Sequence, residues 1–389
     1  MRREAHDPPR QHRASAHVAR ATAPDATRRR LLQALIAGPA LAGVVSCGGG
    51  GGSSSGSSPS PPAATRTWKL GFSPMPPRPV VEAVIGGIDR WSQRAELSIL
   101  HEEMPWTDLL AGMSPDAILE RDKIGLVNYL RGKGLQLVFM GDPNDGLSRG
   151  EEAPQLRALG RSLTEPAVQQ AYRDYIVAVV RRLQPEHLGL AAETNLIRAA
   201  APTALYQAVV RTANDTANAV RAAGGAMPLM VSVQVETAWG RLGGNSTYAG
   251  IDIDRIDFPF IDMLGLSSYP YFAYAEPEDI PANYYSRVLQ GTGLPAMVTE
   301  GGWPSASAGS FTSSPEKQAR YILRQAGLLD SIDARALLHL EFADLDLAAF
   351  PQPYPEILPL FASLGLTDSD FNPKPALARW DELHRRRVV

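Results

Sequence analysis

The chain has a single cysteine, Cys47, among 389 residues. One thiol excludes an internal disulfide framework and any cysteine-built metal cluster. The seven histidines are scattered, and none falls in a His-x-x-x-His or His-Glu-x-x-His spacing. No metal and no other cofactor is therefore expected. Solenoid repeats and heptads are also missing. Basic excess is confined to residues 1–46, with eight arginines and three acids; the remainder carries 30 basic against 38 acidic residues. That mild acidity offers no footprint for nucleic acid or an anionic polysaccharide, and it suits a neutral partner. What is present is ordinary for a soluble globular domain: 44% hydrophobic and 20% charged residues, enough to bury a full core.

The N-terminus reads as an address. Thr27-Arg28-Arg29-Arg30-Leu31-Leu32-Gln33 leads into an apolar run that ends in Val44-Val45-Ser46-Cys47. The run is too short to span a bilayer, and it has the basic, apolar and small-residue parts of a cleavable signal. Its Arg-Arg-x-Leu-Leu core resembles a twin-arginine export signal, and its last four residues resemble a bacterial lipobox. The resemblance implies that residues 1–46 are removed and that Cys47 is acylated. Residues 47–65, rich in Gly, Ser and Pro, would then tether the body to a lipid bilayer in the cell envelope. No aspartate follows Cys47 to suggest inner-membrane retention. The alternative is an ordinary secretory peptide with a chance cysteine.

From residue 66 to 389 the chain alternates short apolar runs with longer helical patterns. The runs are 68–72, 97–100, 135–140, 187–191, 228–235, 263–267, 296–299 and 336–342. Several are almost continuously apolar, as parallel strands buried on both faces must be. Helices are expected over 114–131, 165–183, 202–223, 314–329 and 375–385. Eight strands in such alternation predict a single (β/α)8 barrel, an α/β fold. A doubly wound open sheet would place a glycine-rich phosphate turn after its first strand. Here that strand ends in Ser73-Pro74-Met75-Pro76-Pro77.

Functional residues of such a barrel gather at the C-terminal ends of its strands. Those ends carry His101-Glu102-Glu103-Met104-Pro105-Trp106, Gly141-Asp142, Glu193-Thr194-Asn195, Gln234-Val235-Glu236-Thr237-Ala238-Trp239, Tyr269-Pro270-Tyr271, Glu300-Gly301-Gly302-Trp303 and Glu341-Phe342. Carboxylates, amides and aromatics on one rim suit a sugar-binding cleft. Glutamates after strands four and seven resemble the arrangement of the clan A retaining glycosidases. Leu188-Gly189-Leu190-Ala191-Ala192-Glu193-Thr194-Asn195 resembles their acid/base segment. Val298-Thr299-Glu300-Gly301-Gly302-Trp303-Pro304-Ser305 is similar to the nucleophile segment of family 17 β-glucanases, and Leu264-Gly265-Leu266-Ser267-Ser268-Tyr269-Pro270 to family 53 endo-β-1,4-galactanases.

The resemblance implies a glycoside hydrolase, or a transglycosylase, acting on a neutral β-linked glycan. Glu193 would be the acid/base and Glu300 the nucleophile, about 5–5.5 Å apart as retention requires. Tyr269 would hold Glu300, while Trp106, Trp239, Tyr271 and Trp303 would offer flat faces to pyranose rings. His101, Asn195, Gln234 and Glu341 complete the candidate substrate contacts. Three departures stand out. Ala192 takes the place of the clan's asparagine before the acid/base, to be replaced by the amide of Asn195 or Gln234. His101 and Glu102 stand where a strand-two arginine is usual, and Glu341-Phe342 where a tryptophan is. These departures keep a second reading open, a non-catalytic carbohydrate-binding lipoprotein. A metal-dependent hydrolase is a third reading, which lacks a ligand set. A monomer is expected.

Overall fold

The computed structural model describes residues 65–242 and 247–389. The export signal, Cys47 and the tether to residue 64 lie outside the described residues. Eight parallel strands close into a barrel: β1 (Lys69–Phe72), β2 (Leu97–Glu103), β3 (Gln136–Asp142), β4 (His187–Gly189), β5 (Leu229–Gln234), β6 (Met263–Ser268), β7 (Ala296–Gly301) and β8 (Ala334–His339). Closure is made by β1 against β8, from Lys69 opposite Ala336 to Phe72 opposite His339. A two-residue parallel ladder, Thr65–Arg66 with Arg387–Val388, ties the ends of the described body together.

Each expected strand has its counterpart, because the apolar runs are buried on both faces. All six residues of β5, of β6 and of β7 are buried. The barrel interior is filled by Leu97, Ile99, Val138, Met140, Ala192, Met230, Met263, Met297, Ala336 and Leu338. Four methionines among them suit an irregular interior, since an unbranched thioether adapts to the space left by its neighbours. Gly189 is required beside Met140, whose sulfur a Cβ there would strike.

The outer helices include α1 (Val81–Trp91), α2 (Ile124–Gly132), α3 (Pro166–Leu183), α4 (Thr203–Ala222), α5 (Asp252–Asp257), α6 (Tyr284–Val288), α7 (Pro315–Leu329) and α8 (Pro375–His384). Proline opens α3, α7 and α8, where its missing N–H leaves no bond unmade. The helix expected over 114–131 is two helices, Pro115–Asp122 and α2, parted at Lys123 (φ −128°). The Lys123 ammonium turns inward to a buried ion pair with Glu102 at 2.6 Å. Neither α1 nor the six- and five-residue α5 and α6 was expected; helices as short as the last two carry too few turns to show a period.

Between barrel and helices, Phe72 packs against Trp91, Phe342 and Trp380, with its ring centroid 4.6 Å from that of Trp380. This cluster joins β1 to α1 and α8 and so seals the seam where the barrel closes. Trp380→Ala is expected to destabilise the fold by about 3–5 kcal/mol through lost burial and the cavity left behind. Urea unfolding measures this. A loss below about 1 kcal/mol would show that the seam does not depend on the cluster.

Candidate active site

The site is built from the ends of β2, β3, β4, β6 and β7. After β4 the chain turns sharply at Glu193 (φ 51°, ψ 46°) into the short helix Thr194–Ala200. A left-handed glutamate is strained by about 1–3 kcal/mol. Its N–H donates to Ser232 Oγ at 2.9 Å, which pins the turn to β5. A register shift between β6 and β7 does the corresponding work for the second carboxylate. Leu266 faces Val298, but Ser267 faces Glu300 rather than Thr299. Because side chains alternate along a strand, the skipped residue brings Glu300 onto the same face as Ser267.

Glu193 and Glu300 are each 8% exposed. Ser267 Oγ donates to Glu193 Oε1 at 2.6 Å, and the same hydroxyl lies near enough to Glu300 to favour its ionised form. Arg149 Nε donates to Glu193 Oε2 at 2.6 Å, and Arg149 Nη1 donates to Asp142 Oδ2. His101 Nε2 lies 3.1 Å from that same Asp142 oxygen, and its Nδ1 lies 3.6 Å from Glu300 Oε2. Glu300 Oε1 has no hydrogen-bond partner.

Burial and charge then set the protonation states. Burial would lower the His101 imidazole, but Asp142 and Glu300 outweigh it and raise its pKa from 6.5 to about 10. Burial would raise Asp142, yet Arg149 and His101 bring it down to about 2. Glu193 is raised, chiefly by burial and further by the charge of Glu300, with Arg149 opposing. Glu300 is lowered, because His101 and Arg149 overcome its own burial. The two glutamates are driven in opposite directions, as an acid and a nucleophile require.

The remaining candidates fall elsewhere. Trp106 is buried beside Tyr172, and Trp303 is 1% exposed, packed on Tyr321 with its N–H on Ser313. Tyr271 is buried and donates to the Leu360 carbonyl at 3.2 Å. Trp239 stacks on Tyr284 and lies under the Arg287 guanidinium. The flat faces expected for sugar are covered by protein in all four. Asn195 exchanges hydrogen bonds with the Gln234 backbone at 2.8 and 2.9 Å, and the Gln234 side chain joins Glu236 and the Thr237 N–H. Neither amide is free to replace the one missing at Ala192. Burial raises the Tyr269 pKa, and the charges of both glutamates raise it further, but Glu300 takes its polar neighbours from His101 and Ser267. Glu102 pairs with Lys123, and Glu103 accepts from the Gly146 N–H at 3.1 Å. Glu341 is buried with both carboxyl oxygens unpartnered.

Arg149 is the residue sequence reasoning missed. It lies seven positions beyond the end of β3, in a loop shaped by Asp145, which accepts from the N–H groups of Leu147 and Ser148. No local pattern marks such an arginine. Among the described residues no group of three or more His, Cys, Asp and Glu side chains is arranged to hold a metal ion.

No protein-family model and no curated protein matches the chain. Among solved structures it is similar to an exo-β-1,4-mannosidase from Opitutaceae bacterium strain TAV5, with 16% identity and a TM-score of 0.60, covering 82% of this chain and 60% of that one. The chain thus spans less than two thirds of that enzyme's length. Xylanase 10B from Thermotoga maritima gives 13% identity and a TM-score of 0.57, over 82% of this chain and 95% of that one. The GH53 catalytic domain of Ignisphaera aggregans gives 14% and 0.52, over 68% and 78%. At these identities the likeness is one of fold, the (β/α)8 barrel.

The His101 shift carries a sign for stability. With its pKa raised from 6.5 to about 10, its contribution is complete below pH 6.5 and is lost as pH rises towards 10. Asp142, lowered from 3.8 to about 2, contributes fully above pH 3.8 and loses this as pH falls through 2. The urea midpoint is expected to fall between pH 6.5 and 10, and less steeply in His101→Gln. Equal slopes in the two proteins would contradict the assignment of charge to His101.

Proposed function

We propose that the chain is a retaining glycoside hydrolase acting on a neutral β-linked glycan, with water or a second sugar as acceptor. Glu193 is its acid/base and Glu300 its nucleophile. The observation that carries this reading is the pair itself: two buried carboxylates, from β4 and β7, share one serine hydroxyl and are shifted in opposite directions. The chemistry named for the fold neighbours, mannosidase and xylanase, agrees with it.

The geometry assigns atoms to the steps. Arg149 Nε can only donate, so Glu193 Oε2 must accept, and the acid proton rides on Oε1 with Ser267 turned to accept. A carboxylate oxygen of Glu300 attacks the anomeric carbon. The glycosidic C–O bond breaks, and its oxygen takes the proton from Glu193. The resulting ester leaves Glu300 without charge, so the repulsion that raised Glu193 disappears while Arg149 still holds it as a carboxylate. Glu193 then takes a proton from the incoming water or hydroxyl, whose oxygen displaces Glu300 from the sugar.

A second reading, a carbohydrate-binding barrel without turnover, draws on Ala192. That residue is buried in the barrel interior, and no neighbouring side-chain amide is free to bond a sugar 2-hydroxyl. It requires glycan binding by calorimetry with no product formed. We also propose that Cys47 carries a lipid anchor in the cell envelope. Cys47→Ser is expected to move the protein from the membrane fraction to the soluble one, and unchanged partition would contradict this.

The direct test of activity is hydrolysis of β-1,4-galactan, β-1,3-glucan, xylan and mannan. Glu193→Gln is expected to lower the rate about 10²–10⁴-fold, and Glu300→Gln to abolish it. The rate should fall at high pH as Glu193 loses its proton and at low pH as Glu300 gains one. Hydrolysis that survives in both variants would sink the assignment.

A further inference from the structure

Asp142 holds two cations with one oxygen. Its Oδ2 lies 3.1 Å from His101 Nε2 and also accepts from Arg149 Nη1. Each cation also faces a different glutamate, Arg149 through a hydrogen bond and His101 at ion-pair distance. His101 reaches Glu300 Oε2 through Nδ1 at 3.6 Å, and Arg149 reaches Glu193 Oε2 through Nε at 2.6 Å. The Asp142 side chain is 1% exposed and that of Arg149 is 5% exposed, so water does not substitute for these contacts. Asp142 Oδ1 also accepts from the Asn144 N–H at 3.3 Å, which fixes the carboxylate to its own strand end.

We infer that Asp142 is the positioning residue of the site: one buried carboxylate oxygen, bridging His101 and Arg149, orients both Glu300 and Glu193. The inference rests on the glycosidase reading for its kinetic consequence but not for its structural one. Two cations replace the single strand-two arginine whose place His101 occupies, and each addresses one glutamate. They share a counter-ion, so neither can leave its place without weakening the other. Neutralising Asp142 leaves His101 facing only Glu300 as an anion. Its second nitrogen then faces an amide, which does not require the imidazolium form. Arg149 loses one arm of its fork and is free to swing about Nε, so the direction of Glu193 is no longer fixed.

The groups facing His101 are Asp142 from β3 and Glu300 from β7, and those facing Arg149 are Asp142, Glu193 and, at longer range, Glu300. Burial acts against the charge on both cations. Removing either anion must therefore move His101 towards the neutral form. A purely structural aspartate, bonded only to its loop, would have no such effect.

The experiment is a long-range ¹H–¹⁵N titration of the histidine rings in the full chain, from pH 5 to 10, with His101 assigned by its loss in His101→Gln. In the wild type, His101 is expected to keep both ring protons through pH 8. In Asp142→Asn its midpoint should drop by at least one pH unit, and Glu300→Gln should give a drop of the same sign. A neutral His101 at pH 7.5 in the wild type would overturn the inference, as would a midpoint unmoved in Asp142→Asn. If Asp142→Asn does not fold, the wild type and Glu300→Gln decide by the same criteria. Where a hydrolysed substrate is found, Asp142→Asn should lower kcat about 100-fold with KM changed less than threefold. A wild type that gives the expected titration but hydrolyses nothing would refute the glycosidase reading and leave the bridging role standing.

Discussion

Five ionisable side chains lie together at one end of the barrel, four of them nearly closed to water and His101 21% exposed, and a lone carboxylate or imidazole would not keep its charge there. Taking a single ion into such a place costs several kcal/mol. Here Asp142 and Glu300 are answered by His101 and Arg149, so the fixed charges cancel and Glu193 alone is free to carry or release a proton. The rest of the rim serves this neutrality. The skipped residue between β6 and β7 turns Glu300 towards Ser267 and His101. The left-handed turn at Glu193, pinned by Ser232, sets its carboxylate between Ser267 and Arg149.

The closed barrel makes these meetings possible. Glu193 and Glu300 lie far apart in sequence, yet the circular order of strands brings β4, β6 and β7 to one rim. Ser267 sits between the two glutamates in that order, and its hydroxyl serves both. The aromatic seal of Phe72, Trp91, Phe342 and Trp380 on the β1–β8 side holds the circle shut. Stability at the seam and chemistry at the rim are thus linked through the geometry of closure.

The strands were legible because burial on both faces writes itself as an apolar run, and the rim positions of Glu193 and Glu300 because each follows such a run. The supporting side chains were harder. Arg149 comes from a loop whose shape depends on Asp145, and nothing near it in sequence points to Glu193. His101 was visible at a strand end, but its role as a cation depends on Asp142 and Glu300, which come from other strands. The aromatics misled for a related reason. Trp106, Trp239, Tyr271 and Trp303 follow strand ends, as sugar platforms do, yet each turns into the packing of its own loop. Residue type at a strand end tells what a side chain can do; which way it faces is settled by neighbours distant in the chain.

The proposed retaining mechanism depends most on Glu300 forming a covalent bond to a sugar. Incubation with 2-deoxy-2-fluoro glycosyl fluorides of β-galactose, β-glucose, β-mannose and β-xylose, followed by peptide mass mapping, tests this directly. One added glycosyl group is expected on the peptide containing Glu300, and none in Glu300→Gln. A label on any other residue, or folded protein left unlabelled by all four reagents, would contradict it.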